Sequence, residues 1–400
     1  MSLDLTKVVS QVGGMVSRLK AGVEERQKHL QYALEIAEGE AIDLDSLKKK
    51  IAVSKGKTTW LVAGLVDGLA RHYEAPPLPP EFTILATDGS HIDVDRHRAT
   101  RCYLINIGTA VLNYGAAPDA ALDSFPHLYS DDEDLVIVPA GVKDREQPIE
   151  GALLGIKRAV EECRQLAKLA AELPQDSPSL ALLDGSLILW GLEAYPEFVA
   201  EALLDRGFLS YLEELRKLNN GKRLALASYI SFTRSTDVVN VLRLAICPYE
   251  FPDCDRYCPT GEKDCDRVAG VQDRELFSNI LSHGERSAVF ISQSSVVRKH
   301  YGVHQVHFFY LRVDDEIARV EIPQWVATDE KRLNLVHALV LDQCQRGQGY
   351  PVALSEAHEQ AVVTMADRDN FWTLVESSLI EEKMPTPTSG KSRSKRTKWV

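Results

Sequence analysis

The sequence contains no stretch of about 18 uncharged apolar residues, the length that a bilayer-crossing helix requires. Its opening, "MSLDLTKVVSQVGG", lacks the basic-then-apolar order of a secretion leader. From these absences we expect a soluble, cytoplasmic protein. Cysteine is scarce: seven in 400 residues are too few for a disulfide scaffold, which leaves free thiols or metal ligands. Neither a Gly-x-Gly-x-x-Gly fingerprint nor a P-loop occurs, so the commonest backbone cradles for nucleotide phosphates are missing. Positive charge is in deficit, with a formal net charge of −12, and a protein of that balance does not coat nucleic acid indiscriminately. The exception is the C-terminal "MPTPTSGKSRSKRTKWV", which carries Lys391, Arg393, Lys395, Arg396 and Lys398 and no acid. Its Pro, Ser and Thr content predicts a disordered basic tail over 381–400.

What is present is ordinary for a globular chain, 44% hydrophobic and 26% charged, enough to bury a sizeable core. Residues 1–75 are expected to form an N-terminal helical region for dimerisation or partner docking. Val8, Val12, Val16 and Leu19 recur there at helical spacing. The prolines of "APPLPPEF" end that pattern and begin a domain over 76–380. Three strands are expected between Phe82 and Leu112, then a polar acidic stretch, then a long helix from about Pro148 to Leu173, then the strand "SLALLD". Further strands at "RLALASYIS" and "HQVHFFYLRV" and helices over Lys331–Gln345 and Ser355–Ala366 complete the pattern.

Two apolar runs, "ILATDGSHIDVD" and "LALLDGSLILW", each lead into Asp-Gly-Ser. A single Asp-Gly is most simply a turn, because both residues tolerate positive φ. Two copies are more informative. If the strands are neighbours, Asp88 and Asp184 lie at one level of a sheet, where paired carboxylates repel unless a divalent cation lies between them. The helix between them can add a third carboxylate. Asp184 lies about four residues, roughly 13–17 Å, up its strand, and an antiparallel helix spans that distance in about 9–11 residues. This points to Glu161 or Glu162, with a salt-bridged surface role as the alternative for either. In "GYPVALSEAHEQA", Ser355 is expected as a helix N-cap, placing His358 in the first turn. The positive helix end would there leave a neutral ring nitrogen able to bind metal. Such a site suits Mg²⁺ or Mn²⁺ and metal-assisted phosphodiester hydrolysis with two ions.

The order of three strands, one helix and one strand is that of an α/β, ribonuclease-H-like mixed sheet flanked by helices. The segments "ATDGSHID", "LALLDGSLILWGLE", "SYISFTRSTDVV", "ARVEIPQWVA" and "GYPVALSEAHEQAV" together resemble the NurA nuclease family, in order from about residue 82 to 366. The resemblance implies manganese-dependent DNA cleavage, a homodimer enclosing the DNA path, and partnership with the HerA hexameric ATPase in processing DNA ends. Carried over residue by residue, it places the catalytic metal ligands at Asp88, Asp184 and His358, with Glu161 and Glu162 competing for the helix position. It also suggests a phosphate contact for Arg234.

Basic residues that would line a DNA path are Arg96, Arg98, Arg101, Arg286, Arg298 and Lys299, with Tyr301 and Phe309 as stacking partners. The chain departs from the short family pattern at "CPYEFPDCDRYCPTGEKDC". There Cys247, Cys254, Cys258 and Cys265 suit a structural Zn²⁺ or an iron–sulfur cluster, or are free thiols of an insertion. Two other functions share the fold pattern: an actin-like nucleotide-binding protein, whose turns usually read Asp-x-Gly, and a non-catalytic adaptor docked to an ATPase.

Overall fold

A computed structural model describes residues 4–39, 43–95, 98, 100–139, 141, 145–175, 177–219, 221–261 and 263–384. The expected basic tail lies outside the described residues from 385 onward. The chain divides into a first unit of Met1–Glu74, Ser231–Ser294 and His307–Arg319, and a second unit of Ala75–Ile230, Ser295–Val306 and Val320–Val400. One boundary between the units falls between Glu74 and Ala75, at the start of the proline-rich segment.

In the second unit the elements that matter are β1 (Phe82–Ile92), β2 (Tyr103–Tyr114), β3 (Asp119–Tyr129), α1 (Ala152–Glu172), β4 (Ser179–Asp184), β5 (Leu224–Ile230), α2 (Glu330–Arg346) and α3 (Val352–Ala361). The strands lie in the order β5-β4-β1-β2-β3. The first three in sequence form an antiparallel meander, and β4 and β5 run parallel to β1. This is a ribonuclease-H-like sheet.

Strand β1 is covered on both faces, so it reads as a continuous buried run in which Ile84, Leu85 and Ala86 are all fully buried. On one face Leu85, Ala181 and Leu183 share a core with Leu153, Val160 and Leu166 of α1. Alternation sends Asp88 and Ser90 to the other face, where they meet His358 and Ala361 of α3. The third strand was expected before Leu112 and instead occupies Asp119–Tyr129, where every residue but Tyr129 is exposed. Its sequence gives no burial pattern because it has no buried face.

The first unit corrects a second expectation. Its helices Thr6–Glu38 and Leu44–Val53 end well short of residue 72, and the chain continues as short strands Gly64–Leu65 and His72–Tyr73. Gly56, at φ 72°, follows the second helix in the "SKGKTT" segment, a composition that favours turns. These strands pair with Phe290–Ile291 and Arg286–Ser287. Ala33, Leu47 and Ile51 of the helices share a core with Leu242, Phe277 and Phe308, so the N-terminal helices pack within one unit with residues 231–294 and 307–319. No helix among the described residues is long and apolar enough to cross a membrane.

Candidate active site

The two Asp-Gly-Ser segments meet across the β1–β4 pair. The parallel register runs from Thr83 opposite Ser179 to Thr87 opposite Leu183, and its next step sets Asp88 beside Asp184. Both side chains leave the sheet on the face away from α1.

Their glycines differ. Asp184 is the last residue of β4, and Gly185 turns the chain at φ 80°, a conformation that favours a residue without Cβ. Gly89 lies inside β1, which continues to Ile92. A Cβ there would stand 2.6 Å from Glu162 Oε1 and 2.9 Å from Arg158 Cγ. Gly89 is thus the position at which the glutamate of α1 can come up against the strand beside Asp88. A third glycine, Gly108, is the cross-strand partner of Asp88. A Cβ on it would lie 2.1 Å from the Ala357 carbonyl, so its absence lets α3 sit directly on β2.

Glu162 is fully enclosed, and its carboxyl group is pushed up to about 7. Burial is the main cause, opposed by Arg158 and reinforced by the charges of Asp88 and Asp184. Its Oε1 lies 3.0 Å from Arg158 Nε, yet neither atom has a hydrogen-bond partner. Adjacent Glu161 points elsewhere, as a step of about 100° around a helix requires. It pairs with Lys157 at 2.7 Å and with Arg164, and it bears on the hydroxyl groups of Tyr103 and Tyr129. Of the two glutamates, Glu162 is the one on which the charges of Asp88 and Asp184 act, from across the strand at Gly89.

His358 reaches Asp88, with Nδ1 2.6 Å from Oδ2, but not by the expected route. Helix α3 begins at Val352 after Pro351, Ser355 lies within it, and His358 is in its last turn. The proline, suited to a helix start, outcompetes the serine. The argument from the positive helix end therefore does not apply. The ring is largely exposed, its side chain retaining 63% of its accessible surface against 14% for Asp88, which makes this an open face.

Two further residues, not singled out in the sequence, hold the other aspartate. The Tyr350 hydroxyl donates to Asp184 Oδ1 at 2.9 Å, and the tyrosine is held well above its ordinary range by burial and then by Asp184. Asp184 is itself raised, first by desolvation, then by Asp88, against the pull of Tyr350, the Gly185 amide and His358. Glu321 accepts from Ser186 Oγ at 2.8 Å and from the Leu187 amide at 2.9 Å, fixing the turn after Asp184. The signal for Tyr350 was its position just before the proline that starts α3.

Among the described residues no group of three or more His, Cys, Asp or Glu side chains is drawn together so as to hold a metal ion. Each carboxylate instead faces a protein partner: Asp184 faces Tyr350, Asp88 faces His358 and Glu162 faces Arg158. The donor set still fits a hard divalent cation. It is rich in carboxylate oxygen, one buried oxygen lacks a hydrogen bond, and burial, with the charge of neighbouring carboxylates added to it, raises Glu162 and Asp184, a charge that a cation relieves.

The expected DNA-path residues separate by burial. Tyr301 and Phe309 are core residues, and Arg286 is buried against the Tyr73 ring; none of the three can stack on or line a path for DNA. The Tyr301 hydroxyl donates to the Leu187 carbonyl at 2.8 Å. Arg98 is engaged with Asp95, Glu376 and the Trp372 ring. Lys299 pairs with Glu197 at 2.6 Å. Arg101, Arg234 and Arg298 are exposed, and Arg96 lies outside the described residues.

A family model described as the NurA domain matches residues 82–363, a span that holds Asp88, Glu162, Asp184, Tyr350 and His358. Comparison with curated proteins gives no match. With most of its length covered by that one domain, the chain belongs to the NurA family, a nuclease-type family.

Proposed function

We propose that the chain is a Mn²⁺- or Mg²⁺-dependent deoxyribonuclease acting in DNA end processing and repair. On this reading it is a cytoplasmic homodimer working with a HerA-type hexameric ATPase. The observation that carries the catalytic part is the parallel register that brings Asp88 level with Asp184, with the charges of both acting on buried Glu162, whose carboxyl group is raised chiefly by burial. Carboxylates whose charges bear on one another are stabilised when a divalent cation is drawn in among them.

Asp88, Asp184 and Glu162 are the residues that would hold the ion. When bound, it supplies Lewis acidity toward a phosphate oxygen and lowers the pKa of water. Tyr350 and the turn fastened by Glu321 fix Asp184, and His358 fixes Asp88 through Nδ1. With a proton on Nδ1, Nε2 of His358 keeps a lone pair for metal or phosphate. In the hydrolysis a water oxygen bonds to phosphorus, the ester P–O bond breaks, and the leaving oxygen takes a proton. The exposed guanidinium groups of Arg234 and Arg298 are proposed phosphate contacts.

The test is cleavage of single- and double-stranded DNA by the purified full chain with Mn²⁺. Asp184→Asn and Glu162→Gln are expected to lose at least about 100-fold in rate, and Glu161→Gln to stay within a few-fold of the unsubstituted chain. Unchanged cleavage by Asp184→Asn would refute the site. Absence of cleavage by the unsubstituted chain on either substrate would favour the non-catalytic adaptor.

A further inference from the structure

The seven cysteines fall into two classes. Cys102, Cys163 and Cys344 are buried, whereas Cys247, Cys254, Cys258 and Cys265 are only partly buried and all belong to the first unit. None of the seven is in a disulfide.

Local structure gathers the four partly buried thiols. Asp253 caps the helical turn Cys254–Tyr257 by accepting from the Arg256 amide at 3.0 Å, and the Cys258 amide donates to the Cys254 carbonyl at 3.0 Å. Residues four apart on such a turn share a face, which puts Cys254 and Cys258 side by side. Cys247 follows the helix Val239–Ala245, and Cys265 sits in the 3₁₀ turn Asp264–Val268. All four line a single cavity of about 20 Å³. That is room for about one water-sized sphere, which suits a single ion.

Two further observations bear on the same place. Among the described residues of 247–265 only Pro252 is buried, so no apolar core of its own holds this segment in shape. Segments of that kind are fixed by a crosslink or a metal. Cations also gather there. Lys50 Nζ donates to the Cys247 carbonyl at 2.5 Å, Arg243 Nη2 lies 3.7 Å from Cys265 Sγ, and Lys263 lines the cavity. Positive charge around a thiol favours the thiolate, and it offsets the net charge of four thiolates on one divalent ion.

We propose that Cys247, Cys254, Cys258 and Cys265 bind one structural Zn²⁺, which fastens the 247–265 segment. The thiols stand around the cavity without being drawn to ligand distance. Binding therefore moves them inward, and four Zn–S bonds replace four S–H bonds as four protons pass to solvent. Zinc has no redox part in this, and the site stands independently of the nuclease reading.

The test is metal analysis of the purified full chain after a weak chelator has removed loosely held Mn²⁺. About one zinc per chain is expected, with at least a tenfold loss in the Cys254→Ser/Cys258→Ser double variant. Because loss of two thiols also perturbs the fold of the segment, a second measurement uses the unsubstituted chain with Co²⁺ in place of zinc, where intense sulfur-to-cobalt charge-transfer absorption marks thiolate ligation. Folded, zinc-free protein that takes up Co²⁺ without this absorption overturns the proposal. Iron with acid-labile sulfide overturns the assignment to a single zinc ion.

Discussion

At residues 88–90 Asp-Gly-Ser runs through a strand, and at 184–186 it ends one. Gly185 is required by its backbone, which turns at φ 80° with nothing within 4 Å of where a Cβ would stand. Gly89 is required by its neighbour, because a Cβ would occupy the space of Glu162 Oε1. One tripeptide thus answers two different physical demands, a turn and a close approach. What the copies share is the aspartate, placed at one level by the parallel register.

The sharpest consequence concerns the buried acid that only the first copy touches. Glu162 is raised in the folded chain from 4.5 to about 7. The folded state therefore keeps a proton that the unfolded chain has lost, and the resulting stability is full below pH 4.5 and fades as pH rises through 7. Thermal unfolding in chelator is expected to show a loss on the order of 3 kcal/mol across that window, absent in Glu162→Gln and reversed by Mn²⁺. Equal pH slopes for the two proteins would break the link between Gly89 and a buried carboxyl group.

Substituting the glycines separates the copies directly. Gly89→Ala forces Glu162 and Arg158 aside and is expected to cost about 2 kcal/mol together with most of the cleavage activity. Gly185→Ala meets no atom and strains only the backbone, an expected loss of about 1 kcal/mol with cleavage reduced less. Denaturant unfolding and rates measured on both variants check the order, and a reversal would mean that the close approach at Gly89 is not what positions the glutamate.

How much of this was legible depended on what kind of signal each feature leaves. The aspartate pair could be read because apolar runs and a repeated tripeptide survive as one-dimensional pattern. That a glutamate of α1 reaches the level of Gly89 follows from the rise per residue, which is fixed in both helix and strand. Choosing between Glu161 and Glu162 could not, since one residue of helical phase decides it and the stripe "AVEEC" allows either. The N-cap expectation for Ser355 does not hold, because Pro351 precedes the helix start and puts His358 in the last turn. The arginines were not legible at all. Arg286 is buried and Arg298 is exposed, and nothing in their neighbouring residues announces the difference. Gly108 left no trace either, because a glycine set by close packing against α3 looks like any other glycine.

Mn²⁺ binding is the most direct test of the proposed sharing of a divalent ion by Asp88, Asp184 and Glu162. Electron paramagnetic resonance titration of the folded, metal-stripped chain should show bound Mn²⁺, with affinity lowered at least about tenfold in Glu162→Gln and in Asp184→Asn. Undiminished Mn²⁺ affinity in both variants, each still folded, would contradict it.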